Sequence, residues 1–63
     1  MRRVTVEDMN GKLVFDCDRV KAMGIDKGFV CIKWDSIYSG IEETLINVTT
    51  VKEINCYQEN GSD

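Results

Sequence analysis

The 63-residue chain contains neither histidine nor proline, and it has no hydrophobic run close to the length of a membrane span. A spanning helix needs about 20 consecutive apolar residues. Without histidine, a cysteine nucleophile lacks its usual base and a zinc site lacks its commonest nitrogen ligand. The N-terminal residues alternate apolar with polar and do not resemble the continuous apolar region of a signal peptide. These absences predict a non-enzymatic cytoplasmic protein that uses no cofactor and no metal and does not enter a membrane.

Positive charge is scarce, because eight Lys and Arg residues stand against eleven Asp and Glu, a formal net charge of −3. Affinity for nucleic acid depends largely on clustered Lys and Arg. The basic residues here are scattered, apart from Arg2 and Arg3. The composition therefore disfavours a nucleic-acid partner and favours a protein or a small ligand.

The cysteines are three in number, Cys17, Cys31 and Cys56, so they cannot all pair within one chain, and no Cys-x-x-Cys motif joins them. Each has apolar neighbours in the sequence, which suits a small buried side chain. We interpret them as free thiols in a reducing compartment.

The length and the 43% apolar content predict one small folded domain over residues 1–63. A domain of about 60 residues buries only about 60% of the surface of its unfolded chain, so such folds often depend on a partner subunit. We therefore expect a homo-oligomer. A chain this short, without targeting signals or catalytic residues, is typical of phage or mobile-element proteins that act on a host component, which would place it in the host cytoplasm.

Five short strands are predicted from the alternation of apolar and polar residues. Residues 4–7 and 13–15 flank Asn10-Gly11, whose residues suit the positive φ angles of a type I′ turn, so they predict a hairpin. A tight turn at residues 26–28 precedes a central strand at 29–34, which is apolar on both faces. That pattern predicts cover on its second face from another element or another subunit.

Two segments are harder to assign. One has two interpretations, and the other follows neither the period of a strand nor that of a helix. Over residues 18–23, Asp18 could cap a short helical turn, or the second strand could continue with a bend. Residues 35–43 are predicted to form a long loop. Strands follow at 44–48 and 51–57, with a 3₁₀ step at Thr49-Thr50 between them and a frayed polar tail at 58–63.

The number and spacing of the strands resemble those of small Sm-like and SH3-like barrels, over about residues 4–57. Residues 15–20 also resemble the start of the first Sm signature, Phe-Asp, but Arg19 and Val20 replace its apolar residue and asparagine. The later Arg-Gly signature is missing. The resemblance implies an all-β, five-stranded barrel, and no RNA-binding residue is carried over from it.

A cluster of large apolar side chains between residues 34 and 43 is the main candidate contact site. A small barrel has limited room to bury them, and Tyr and Trp are enriched where proteins recognise one another. Alternatively, Trp34 and Ile37 close one end of the barrel. Ser36, Ser39 and Gly40 are expected to let the loop adapt to its ligand. The predicted partner-binding residues are Trp34, Ile37, Tyr38, Ile41, Glu42 and Glu43.

The last strand offers a second contact, because it has no proline and only Lys52 and Glu53 as edge charges. Pairing of its edge with a second copy would involve Val51, Ile54, Cys56 and Tyr57. Two other functions stay open. One is nucleic-acid or nucleotide binding by stacking on aromatic residues beside basic ones (Phe29, Trp34 and Tyr57, with Arg3, Lys33 and Lys52). The other is a weak metal or catalytic site at Asp16, Cys17 and Asp18.

Overall fold

The computed structural model describes residues 2–58, which form five strands and one 3₁₀ turn. The strands are β1 (Arg2–Asp8), β2 (Leu13–Asp26), β3 (Phe29–Ser36), β4 (Gly40–Asn47) and β5 (Val51–Gln58), and the 3₁₀ turn is Val48–Thr50. They pair antiparallel in one sheet of order β4-β3-β2-β1-β5. The all-β prediction and the 3₁₀ step are confirmed. Since β4 and β5 do not pair with each other, the sheet is open, and the predicted closed barrel is not confirmed.

The long second strand bends where a helical turn was one of two interpretations. Its first part pairs with β1 as far as Cys17, after which the register shifts and Val20 lies opposite Arg2. Val20 also lies opposite Trp34 of β3, and a second shift follows before Ala22. Extra residues at such shifts bend a strand. A helical turn at 18–23 is therefore wrong, because this segment is extended and links the two parts of the sheet.

The β1–β2 hairpin exists, but its predicted type I′ turn is wrong. Gly11 has a φ of 81°, whereas Asn10 is not among the positive-φ residues. The amide of Gly11 donates to the carbonyl of Asp8, and the amide of Asp8 donates to the carbonyl of Lys12, both at 2.9 Å. The Asp8 carboxylate also accepts hydrogen bonds from the amides of Asn10 and Lys12. This side chain favours a three-residue loop with glycine last.

The tight turn predicted at residues 26–28 is confirmed. It has the two positive φ angles of a type I′ turn, which had been expected at Asn10-Gly11. Lys27 and Gly28 have φ angles of 53° and 82°, and Asp26 pairs directly with Phe29. Two consecutive positive φ angles match the twist of the flanking strands.

The long loop predicted at residues 35–43 is also wrong. β3 continues to Ser36 and β4 begins at Gly40, which lies opposite Ser36, so only three residues connect them. Gly40 allows this short connection because its φ is 84°. At the other end, Gln58 belongs to β5 and lies opposite Arg2, so the predicted tail does not begin at 58. Residues 59–63 lie outside the described residues.

The core lies on one face of the sheet and contains Val4, Val6, Val20, Val30 and Ile32, each at most 1% exposed. A flat single sheet would leave such residues open to solvent, so the sheet must curl around them. Residues of β2, β3, β4, β5 and the 3₁₀ turn complete the cluster (Phe15, Cys17, Met23, Trp34, Ile46, Val48, Val51 and Ile54).

The second face of β3 is not covered within the described chain. Phe29 is 41% exposed and Cys31 is half-buried. Cover from another element of residues 2–58 is therefore absent, and cover from another subunit stays a prediction. No helix within this range is long and apolar enough to cross a membrane.

Candidate contact surface at the β3–β4 hairpin

The connection between β3 and β4 is held by side-chain hydrogen bonds. The Ser36 hydroxyl accepts from the amides of Tyr38 at 3.2 Å and Ser39 at 3.3 Å. The Ser39 hydroxyl in turn donates to the carboxylate of Glu42. A serine that binds the amides two and three residues ahead fixes a turn locally. These hydrogen bonds connect both ends of the tip, and the expectation that the serines let the loop adapt to its ligand stays a prediction.

Four large apolar side chains are exposed on this tip and along β4, and we call them the hairpin patch. Their exposed fractions are 67% for Ile37, 90% for Tyr38, 55% for Ile41 and 57% for Leu45. Ile41 and Leu45 lie on one face of β4, with Glu43 between them, because alternate residues of a strand share a face. Leu45 was missed by the sequence analysis. The alternation of Ile41, Glu43 and Leu45 would have identified it if residues 40–47 had been interpreted as one strand.

Trp34 is brought to the core and not to the hairpin patch. Its indole Nε1 donates to the Thr44 hydroxyl at 2.9 Å, and its ring meets Phe15 edge to face with the centroids 6.5 Å apart. It packs against the buried cluster, in agreement with the alternative that it helps to close the interior. The indole therefore fastens β4 to β3 beneath the exposed residues.

The two predicted acidic residues, Glu42 and Glu43, are both exposed and point to opposite faces of β4. Glu42 lies opposite Trp34 and is bound by Ser39. Glu43 lies opposite Lys33. A negative charge thus lies on each side of the strand that carries the hairpin patch.

The predicted oligomer contact lies on β5, which is an edge strand of the sheet. Val51 and Ile54 are half-buried and pack against the core, whereas Cys56 and Tyr57 are exposed. Only the second pair is therefore free to meet another molecule through its side chains. The backbone of the outer edge of β5 has no partner strand within residues 2–58, although the amide of Val51 donates to the carbonyl of Val48.

The aromatic residues considered as a stacking platform are not brought together. Trp34 faces the core, whereas Phe29 lies at the start of β3. Tyr57 is on β5, which is separated from β3 by two strands, β2 and β1. Of the basic residues, Arg3 is bound to Asp16. Lys33 is on β3 and Lys52 is on β5, so the positive charges are also dispersed.

Two of the acidic residues of β2, Asp16 and Asp18, are bound by arginines. Arg3 donates to both carboxylate oxygens of Asp16, at 3.1 and 3.0 Å, and Arg19 Nη1 lies 3.4 Å from Asp18. The hydrogen bonds from Arg3 lower the pKa of Asp16 and raise that of Arg3 itself, and the mutual attraction of the two charges adds to both shifts. In the described part of the chain, no group of three or more Cys, Asp or Glu side chains is arranged to hold a metal.

No protein-family model matches the chain, and comparisons with curated proteins and with solved structures give no significant match. The resemblance to Sm-like and SH3-like barrels thus rests on the layout of the strands, and the function has to be argued from the surface of the molecule itself.

Proposed function

We propose that this chain is a non-enzymatic binding module that contacts a protein or a small ligand through the hairpin patch. The observation that carries this proposal is Tyr38, which is 90% exposed at the tip of a turn that Ser36 holds in place. An aromatic side chain displayed on an ordered turn loses little conformational freedom when a partner covers it.

The chemistry around the tip favours a protein partner over a small ligand. Ile37, Ile41 and Leu45 extend the exposed apolar surface beyond Tyr38 and along β4, over more area than a small ligand would cover. Apolar residues bordered by charge are the usual composition of a protein interface. Glu42 and Glu43 border the hairpin patch and Lys33 lies opposite Glu43, so the partner surface that fits best is apolar at its centre and has charges of both signs at its rim.

We also propose that the module is an open member of the SH3-like and Sm-like layout and that it assembles with itself. The strand order β4-β3-β2-β1-β5, with a 3₁₀ turn before β5, supports the first point. The two unpaired outer edges support the second, because free backbone groups favour strand pairing. The cysteines are free, which suits a cytoplasmic setting.

The hairpin proposal is tested by comparing the partners captured from cell extract by three forms of the protein. These are the unmodified chain, a double variant (Tyr38→Ser, Ile41→Thr) and a matched control, Ile25→Thr, which removes an apolar residue of similar exposure at the β2–β3 hairpin. We expect the double variant to lose partners that the control retains. If both variants capture the same set as the unmodified chain, the hairpin patch is not the contact site.

The assembly proposal is tested by light scattering coupled to size-exclusion chromatography. The unmodified protein is expected to have the mass of a dimer or a larger oligomer. Cys56→Glu places a charge on the exposed part of β5 and should return the protein to monomer mass, whereas Met9→Glu, at the β1–β2 hairpin, should not. A monomeric unmodified protein would contradict self-assembly, and an oligomer that is insensitive to Cys56→Glu would place the contact elsewhere.

A further inference from the structure

The first part of β2 has a strand on one side only. Residues 13–17 pair with β1, but the pairing of β2 with β3 begins only at Val20, opposite Trp34. Within residues 2–58, no backbone hydrogen bond joins this segment to any strand other than β1. Alternate residues of a strand direct their N–H and C=O groups to opposite sides. Half of the backbone groups of this segment therefore face away from β1 without a partner strand.

A cleft of about 680 Å³ opens along this free edge. Residues 14–18 line it, and Arg19 and Trp34 stand at the end where β3 terminates. Arg19 closes that corner, because its Nε donates to the backbone carbonyl of Asp35 at 2.9 Å. The volume is within the range of about 300–1,000 Å³ that ligand-binding pockets occupy. A second cleft, of about 620 Å³, also lies beside Arg3, but it is lined by Thr5, Glu7, Leu13, Asn55 and Tyr57 and not by the second half of β2.

We propose that residues 14–18 form a strand-addition site for an extended peptide segment of a partner protein. This site is separate from the hairpin patch and does not depend on the function proposed for that patch. An extended segment satisfies alternate backbone N–H and C=O groups in a row, which a compact ligand does not, and the edge strand of a second copy is the competing occupant that the test distinguishes. The edge has no proline or lysine, although Asp16 and Asp18 place two carboxylates on it, which an added segment has to accommodate.

The side chains that line the cleft indicate which side chains the bound peptide segment should have. Phe15 and Trp34, in edge-to-face contact, offer an apolar wall to every second side chain of an added strand. Asp18 is 64% exposed, and its ion pair with Arg19 is long, at 3.4 Å. Asp16, by contrast, is already held by two hydrogen bonds from Arg3. The segment that fits thus alternates apolar side chains and has a lysine or arginine that reaches Asp18.

The test uses a seven-residue peptide of alternating valine and threonine with a lysine at each end. It is titrated into isotope-labelled protein, and hydrogen exchange of individual amides is followed by NMR. Alternate amides within residues 14–18 should exchange at least about tenfold more slowly when the peptide is saturating. Protection confined to β4 or β5, or no binding at about 5 mM peptide, would overturn the proposal.

Two matched comparisons separate strand addition from other binding. Methylation of the peptide nitrogens on one alternating set should abolish binding, whereas methylation of the complementary set should leave it, and equal effects of both sets would rule out strand addition. Asp18→Asn should weaken binding by about threefold at low salt, while Asp26→Asn, also on β2 but away from the cleft, should not. Concentration-dependent protection of the same amides without peptide would assign the edge to a second copy and overturn the partner assignment.

Discussion

The two edge strands of the sheet have the same length of eight residues but different roles. β5 directs Val51 and Ile54 into the core. β4 contributes Ile46 to the core and leaves Ile41 and Leu45 in solvent. The half of the molecule built from β5, β1 and the first part of β2 thus places two apolar residues of its edge strand in the core, whereas the half built from the rest of β2, β3 and β4 leaves two apolar residues of its edge strand exposed.

The contact surface proposed on β4 therefore lies apart from the edge strand that packs more against the core. An exposed apolar side chain adds little to the core, and the contact proposed for the hairpin patch would give Ile41 and Leu45 a role. A half-buried side chain on β5 removes apolar surface from water. Truncating an apolar side chain should therefore lower the free energy of unfolding more on β5 than on β4.

The largest contrast is expected between Ile54→Ala on β5 and Leu45→Ala on β4. Ile54→Ala removes packing from the core and should lower the free energy of unfolding by about 2 kcal/mol. Leu45→Ala should change it by less than about 0.5 kcal/mol, because the side chain is already exposed. Urea unfolding monitored by the fluorescence of the single tryptophan measures both. If both variants lost the same free energy of unfolding, β4 would contribute as much to the core as β5, and the contrast between the two edge strands would be wrong.

The hydrogen bond between Trp34 and Thr44 tests the same contrast, because it links β4 to β3 although few side chains of β4 are buried. A double-mutant cycle with Trp34→Phe and Thr44→Val isolates the hydrogen bond from the change in packing. We expect a coupling energy of about 1 kcal/mol. Unfolding is followed by circular dichroism, since the fluorophore is removed. Strictly additive single effects would show that another contact holds β4 in place.

The turn that starts β4 is expected to tolerate no side chain at Gly40. Its φ of 84° is unfavourable for alanine although the space around it is open, so Gly40→Ala should cost about 1 kcal/mol through the backbone alone. Gly24→Ala, on β2, has equally open space and no positive φ, and it should be neutral or slightly stabilising. Thermal unfolding compares the two variants. Equal melting temperatures would mean that the turn relaxes without loss.

Much of the fold could be predicted from alternation within short segments. Val4 and Val6, or Val30 and Ile32, are both apolar and two residues apart, and each pair lies in the core as a strand period requires. The turn at Lys27-Gly28 was equally local. Five strands were therefore predictable, although their bounds were not.

What could not be predicted depends on partners distant in the sequence or on a single side chain. The sequence left a bend in β2 open beside a helical turn, and the bend is found because Val20 lies between Arg2 and Trp34, on two different strands. The burial of Trp34 depends on Phe15 and on Thr44, ten residues away. At the candidate site, the exposure of Tyr38 was anticipated from the limited room inside a small barrel. The hydrogen bonds that the Ser36 hydroxyl accepts in that turn were not, because they depend on one side chain.

The smallest effect on stability is expected at the ion pair between Arg3 of β1 and Asp16 in the first part of β2. Because the hydrogen bonds of Arg3 lower the pKa of Asp16, the stabilisation is present above the ordinary aspartate value of about 3.9 and is lost as the pH falls through the lower, folded value. Both side chains are largely exposed, so the contribution is small and screened by salt. Asp16→Asn should thus lower the urea midpoint slightly at pH 7 and not at about pH 2, with Asp26→Asn as the unpaired control. A difference that persists unchanged at low pH would show that Asp16 acts through packing and not through its charge.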